Sequence, residues 1–133
     1  MCLFIEGRPK IEFLMKEKKF YKILFRSHRD TSFVTAYKFW PVKLFKKYRI
    51  WNPFFIKHEY DGMVYYEGGG FHLYETYQDA FEDAKIYESS MQKVAVVETI
   101  VPKFTRIIRG TFCDQKSLIT KRVRYTNIVW KNY

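Results

Sequence analysis

A chain of 133 residues and 16.3 kDa has room for one ordinary domain with one sizeable core and is too short for two. Its 47% hydrophobic and 20% aromatic content excludes a disordered basic tail, and its two cysteines, Cys2 and Cys113, exclude a disulfide framework. Its apolar runs fall short of the roughly 20 residues that cross a bilayer, and its first residues lack a signal-peptide pattern, so the expectation is one domain over residues 1–133, free of membrane, in a reducing cytoplasm.

The formal charge is +10, and its placement says more than its sum. Residues 59–88 carry Glu59, Asp61, Glu67, Glu75, Asp79, Glu82, Asp83 and Glu88 against Lys85 alone, a net −7, which leaves +17 on the rest of the chain. Such a field draws anions: nucleic acid, an acidic protein face or a phosphorylated small molecule. The competing explanation is solubility, together with the lysine-rich and aromatic-rich bias of AT-rich coding sequence.

In chain order, Ile11 to Met15 is a short extended element, and the aromatic and β-branched run Phe20 to Arg26 is a strand followed by the polar turn Ser27-His28-Arg29-Asp30. Phe33 to Trp40 reads as an extended segment ended by Pro41, and Val42 to Trp51 as another, ended by Asn52-Pro53. In the second, Lys43, Phe45, Lys47 and Arg49 alternate with Leu44, Lys46, Tyr48 and Ile50, which predicts one mostly basic face. The spacing of Tyr77, Ala80, Phe81, Ala84 and Tyr87 predicts a helix over about 77–88, capped by Thr76 with Asp79 at its third position. Val94 to Val101 is a nearly continuous apolar run, a candidate central strand stopped by Pro102. Phe104 to Arg109 and Arg122 to Trp130 read as two further strands joined by a loop around Asp114-Gln115-Lys116. The expected fold class is α+β, with a twisted, mostly antiparallel sheet and one principal helix.

Half of the six glycines fall at Gly68, Gly69 and Gly70, just before Phe71-His72-Leu73-Tyr74. Three successive residues free to take positive φ predict a tight turn or a close approach of backbone to a ligand. His72 follows that turn and is flanked by Glu67 and Glu75, which makes Gly69, Gly70 and His72 a candidate ligand site. The plainer alternative is that Phe71 and Leu73 face the core and His72 is an ordinary strand residue. The triplet lacks the Gly-Lys-Ser/Thr ending of a phosphate cradle, and the chain has no nucleophile elbow or dinucleotide fingerprint. His28, His58 and His72 are not spaced with one another or with cysteine as a zinc site requires, so no metal and no cofactor is expected. Cys113 reads as a buried, inert thiol.

Basic and aromatic residues interleave in Tyr37-Lys38-Phe39-Trp40 and in Lys43-Leu44-Phe45-Lys46-Lys47-Tyr48-Arg49, a pattern that pairs phosphates with cations and stacks bases on rings. The predicted anion-binding set is Lys43, Lys46, Lys47, Arg49, Arg106, Arg109, Arg122 and Arg124. On strands the same pattern also describes core aromatics opposite a solvated charged face.

The run Glu67 to Tyr74, with the following helix containing Asp79-Ala80, resembles a pattern in small phage and bacterial domains of unknown function, in which Gly, then Ile, Phe or Tyr, then His and an aromatic or aliphatic residue precede a helix beginning Thr-x-x-Asp/Glu-Ala. Ile100-Val101-Pro102-Lys103-Phe104-Thr105-Arg106 is similar to a second element of those domains. The resemblance covers about a third of the chain and implies a mobile-element setting and an α+β fold, with no activity attached. The expectation is a non-enzymatic binding protein that engages nucleic acid or a nucleoprotein in the host cytoplasm, with inhibition of a host protein as one form of that role. The alternative is a nucleotide-binding or group-transfer domain at the Gly68–His72 turn, for which Arg26, His28, Tyr66, His72 and Glu98 are available, although they match no motif of the small ADP-ribosyltransferase-like folds. Oligomeric state is not legible.

Overall fold

The computed structural model describes residues 10–27, 32–35, 41–51, 55–112 and 115–133. In chain order these form β1 (Ile11–Phe13), β2 (Lys18–Arg26), β3 (Phe33–Thr35), β4 (Pro41–Val42), β5 (Lys47–Arg49), β6 (Phe55–Tyr60), β7 (Met63–Gly68), β8 (Phe71–Tyr74), α1 (Tyr77–Glu88), β9 (Val94–Val101), β10 (Arg106–Phe112), β11 (Gln115–Thr120) and β12 (Arg122–Lys131). The result is one sheet-rich domain with antiparallel strands and, among the described residues, one helix.

The main sheet runs β1-β10-β11-β8-β2-β9-β12-β5, with β3 and β4 appended to β2, while β6 and β7 pair, among the described residues, only with each other. The longest unbroken register joins β2 to β9, from Lys18 opposite Val101 to Phe25 opposite Val94. β9 is apolar along nearly its whole length because both of its faces are covered. Val97 and Val101 point into one cluster with Phe20, Leu24, Leu73, Ile107, Leu118, Val123 and Tyr125. Val94 and Val96 point into another, with Ile23, Phe25, Tyr74, Ala80 and Ala84. Full burial of a large apolar side chain contributes about 1.5–3 kcal/mol, so these two clusters are the main source of stability.

The sheet bends back on itself. β5 and β8 are separated in the strand order by β12, β9 and β2, which in a flat sheet would place them roughly 19 Å apart. Yet the Tyr48 and Phe71 ring centroids are 6.4 Å apart, and Tyr48 also meets Tyr125 at 5.5 Å. The first cluster therefore fills the inside of a curl, and α1 packs on its outer face through the second.

α1 occupies the predicted span. Thr76 has extended backbone (φ −127, ψ 157), and its Oγ1 accepts from the Asp79 N–H at 3.1 Å and donates to Asp79 Oδ2 at 2.7 Å, a cap of about 1 kcal/mol. The buried stripe differs from the expected one: Ala80, Asp83 and Ala84 are buried, whereas Tyr77 lies outside the core, edge-on to Tyr21 and stacked on Phe81. The two alanines let the helix approach the strands closely. Asp83 is accommodated because the Tyr74 hydroxyl donates to its Oδ2 at 2.7 Å; burial raises its pKa, and that hydrogen bond opposes the rise.

Several expected boundaries change. Val42 to Trp51 is not one strand: a turn interrupts it, with Phe45 at φ +63, and only Lys47–Arg49 pairs as β5. Pro41 opens β4 instead of ending a strand, which its lack of an N–H permits because β4 pairs, among the described residues, on one side only, with β3. The structure gives Phe33–Thr35 as strand, and residues 36–40 lie outside the described residues. The expected loop after β10 gives way to β11 from Gln115 onward. Phe104 sits in the turn before β10 with φ +62. The β6–β7 hairpin, absent from the sequence reading, turns at Asp61 (φ 51) and Gly62 (φ 77), the two left-handed residues that tight hairpins require.

Candidate functional site

The pairing of β12 with β5 puts Arg122 opposite Arg49, Val123 opposite Tyr48 and Arg124 opposite Lys47. Strand alternation then separates the two faces. Val123, Tyr48 and Tyr125 point into the curl, so Lys47, Arg49, Arg122 and Arg124 project on the outer face as two facing rungs of like charge. Like charges directly opposite one another destabilise a sheet. No carboxylate among the described residues pairs with any of the four.

The local sequence explains how this edge is held. The Phe45 N–H donates to the Tyr125 carbonyl at 2.6 Å and the Ile50 N–H to the Lys121 carbonyl at 3.0 Å, which bind both ends of the β5 segment to β12. The Lys43 N–H donates to the Tyr48 hydroxyl at 2.8 Å, closing the turn between β4 and β5. Lys43, Lys46, Lys47 and Arg49 are all exposed; Lys46 lies 5.4 Å from the Tyr48 ring centroid and the Arg49 guanidinium 3.9 Å from that of Trp51. Arg122 has a second task, since its Nη2 donates to Thr105 Oγ1 at 2.9 Å and to the Lys103 and Phe104 carbonyls at 3.2 and 3.3 Å, fastening the β9–β10 turn.

Arg106 and Arg109 lie on β10, toward the opposite end of the strand order. Arg106 is exposed beside β1. Arg109 is committed internally: its Nε donates to Glu12 Oε2 at 2.7 Å and its Nη1 to Glu75 Oε1. These partners raise the Arg109 pKa, the Glu12 hydrogen bond first, and the Arg109 hydrogen bond in turn lowers that of Glu12. Arg109 therefore stitches β1, β10 and the entry to α1, and its charge is spent within the protein.

The glycine turn is occupied by the protein's own atoms. A Cβ on Gly70 would lie 2.8 Å from the Thr120 carbonyl oxygen, so glycine here serves the close approach of β8 to β11. The positive φ expected of the triplet falls instead at Gly62 among the described glycines. Lys121 Nζ donates to the Gly69 carbonyl at 2.9 Å, and burial lowers its pKa.

His72 is 6% exposed, lying edge-on to Tyr74 at 5.1 Å. Burial first, and the Lys22 charge second, hold its pKa down to about 3, so the ring is neutral near pH 7. Lys22, 8% exposed, shares strand parity with Phe20 and Leu24, and its Nζ donates to the His72 carbonyl at 2.9 Å. β2 and β8 pair only at Tyr21 and Tyr74; the ammonium serves the carbonyl where the ladder lapses. Burial lowers the Lys22 pKa to about 8.

The other residues considered for nucleotide chemistry do not gather around His72. The Arg26 guanidinium lies over the Tyr133 ring, Glu98 pairs with Lys19, and Tyr66 stands in the separate hairpin. His28, the Tyr37 to Trp40 run, Cys2 and Cys113 lie outside the described residues. Among the described residues, no group of three His, Cys, Asp or Glu side chains is placed to hold a metal ion, and no helix is long and apolar enough to cross a membrane.

Sequence reasoning missed Trp51. Its signal was its position, directly after the alternating Lys47-Tyr48-Arg49-Ile50 and directly before Asn52-Pro53, where a strand ends and a large ring has no core to enter. No protein-family model, no curated protein and no solved structure matches the chain.

Proposed function

We propose that this protein acts by binding, and that the outer face of the β5–β12 edge engages nucleic acid, bare or exposed within a nucleoprotein. One observation carries the reading: Lys47, Arg49, Arg122 and Arg124 face one another across two strands with no acidic partner among the described residues. An arrangement that repels itself in the free protein is relieved by a polyanion, whose phosphates neutralise the cations and whose counterions are released on contact. Lys43 and Lys46, exposed on the segment leading into β5, add to the positive charge around this edge. Within an α+β domain of the phage-like type that the Glu67 to Tyr74 run suggests, such binding in the host cytoplasm is a means of blocking a host factor that works on nucleic acid.

The nucleotide-site reading draws less support, because Gly70 abuts Thr120, Lys121 holds Gly69 and His72 is buried and neutral.

The test is the salt dependence of binding to a labelled oligonucleotide. Lys47→Glu with Arg124→Glu lowers affinity at least tenfold and flattens the dependence of log affinity on log salt by about two contacts. An unchanged affinity and slope in that double variant overturns the proposal.

A further inference from the structure

The chemistry of this edge goes beyond charge. Trp51 is 80% exposed and Phe45 66% exposed, while the neighbouring aromatics Tyr48 and Tyr125 pack into the curl. Phe45 keeps its outward position at φ +63, a backbone region that bulky residues rarely occupy, and the hydrogen bond from its N–H to the Tyr125 carbonyl anchors it there. Trp51 is not loose either: the Arg49 guanidinium sits 3.9 Å from its ring centroid, a cation–π contact that orients the ring beside the cationic rungs. Two large rings are thus held in solvent against the tendency of such rings to be buried, one of them against a cation of the proposed binding face.

Resting on the nucleic-acid reading above, we infer that this face takes single-stranded nucleic acid in preference to duplex, with an unpaired base stacking on Trp51. In a duplex the bases are stacked on one another and the outside offers phosphate alone, which satisfies Lys47 and Arg124 and leaves an exposed indole with nothing to stack on. A single strand presents phosphates and free π-faces together. Cations beside exposed rings match that pairing of chemistries, and base–aromatic stacking tolerates any sequence because every base has a π-face. Arg49 contributes to both, as a cation within reach of phosphate and as the support of the indole.

The experiment compares labelled oligothymidylate, a duplex of the same length and heparin, each titrated at one salt concentration against wild type, Trp51→Ala and Trp51→Phe. Wild type binds the single strand about tenfold tighter than the duplex. Trp51→Ala loses about that factor on the single strand and leaves duplex and heparin unchanged, while Trp51→Phe recovers most of the loss. Equal affinity of wild type for single strand and duplex, or an equal loss by Trp51→Ala on heparin, overturns this inference and leaves the nucleic-acid reading standing. Failure of wild type to bind all three polyanions overturns both.

Discussion

On β10, Arg109 faces two carboxylates drawn from different parts of the chain, Glu12 and Glu75; across β5 and β12, four cations face one another with no carboxylate paired to them among the described residues, although Arg122 also donates to Thr105 Oγ1 and two carbonyls. The side chains are of the same kind and both groups stand on antiparallel strands. At the first place the protein completes its own electrostatics, and the guanidinium works as a cross-strand tie. At the second the fold holds cations in register without completing them, at a small cost in stability. A basic residue on a strand therefore says little about function until its opposite neighbour is known. The region around His72 belongs with the first kind: Lys22, Lys121 and Thr120 fill the hydrogen-bonding and steric room that a ligand would need.

The largest expected effect tests how completely that inner region is closed. The His72 pKa is depressed from 6.5 to about 3, so the unfolded chain takes up a proton that the folded protein refuses. Stability is full above pH 6.5 and is lost as pH falls toward 3, by about 4 kcal/mol from this group. Lys22 runs the same way at the alkaline end: its pKa is about 8 when folded against 10.5, so stability rises as pH climbs between those values. Denaturant unfolding across pH should show the acid slope in wild type and a much shallower one in His72→Phe; equal slopes would mean that the histidine is accessible to solvent.

Next in size is Gly70→Ala. Its Cβ meets a backbone carbonyl at 2.8 Å, an obstacle that cannot rotate away, and the expected loss is about 1–3 kcal/mol in the same unfolding assay. A variant as stable as wild type would reopen the turn as a ligand site.

How much of this was visible in the sequence follows physical lines. The helix and β9 were legible because their signals are local: Thr76 and Asp79 are three residues apart, and Val94 to Val101 is apolar throughout. The β5–β12 cluster was half legible. The composition singled out Lys47, Arg49, Arg122 and Arg124, but their meeting depends on a pairing between segments about 75 residues apart, which loop-closure physics leaves open. Arg109 looked identical in sequence, and only the distant Glu12 and Glu75 distinguish it. β11 is hidden in the sequence because Asp114-Gln115-Lys116 is polar and reads as a loop, and its more apolar half, Ser117 to Thr120, is short. The glycine triplet drew a ligand reading because close approach to backbone and close approach to ligand require the same residue.

The smallest expected effect bears most closely on the unpaired rungs. Arg124→Glu replaces a like-charge rung with Lys47 by an opposite-charge one, so the free protein should gain about 0.2–1 kcal/mol, the reverse of what most substitutions do. Arg109→Gln should do the opposite and lose up to about 1 kcal/mol, since it opens a partly exposed pair of ion bridges.

Thermal unfolding of wild type and Arg124→Glu, each with and without a saturating single-stranded oligonucleotide, joins the two halves of the account in one measurement. Cations held against their own repulsion for an external polyanion predict that Arg124→Glu melts at or above wild type when free, and that the oligonucleotide raises the wild-type Tm by several degrees while moving the variant far less. A variant that melts below wild type when free and responds equally to the oligonucleotide would contradict it.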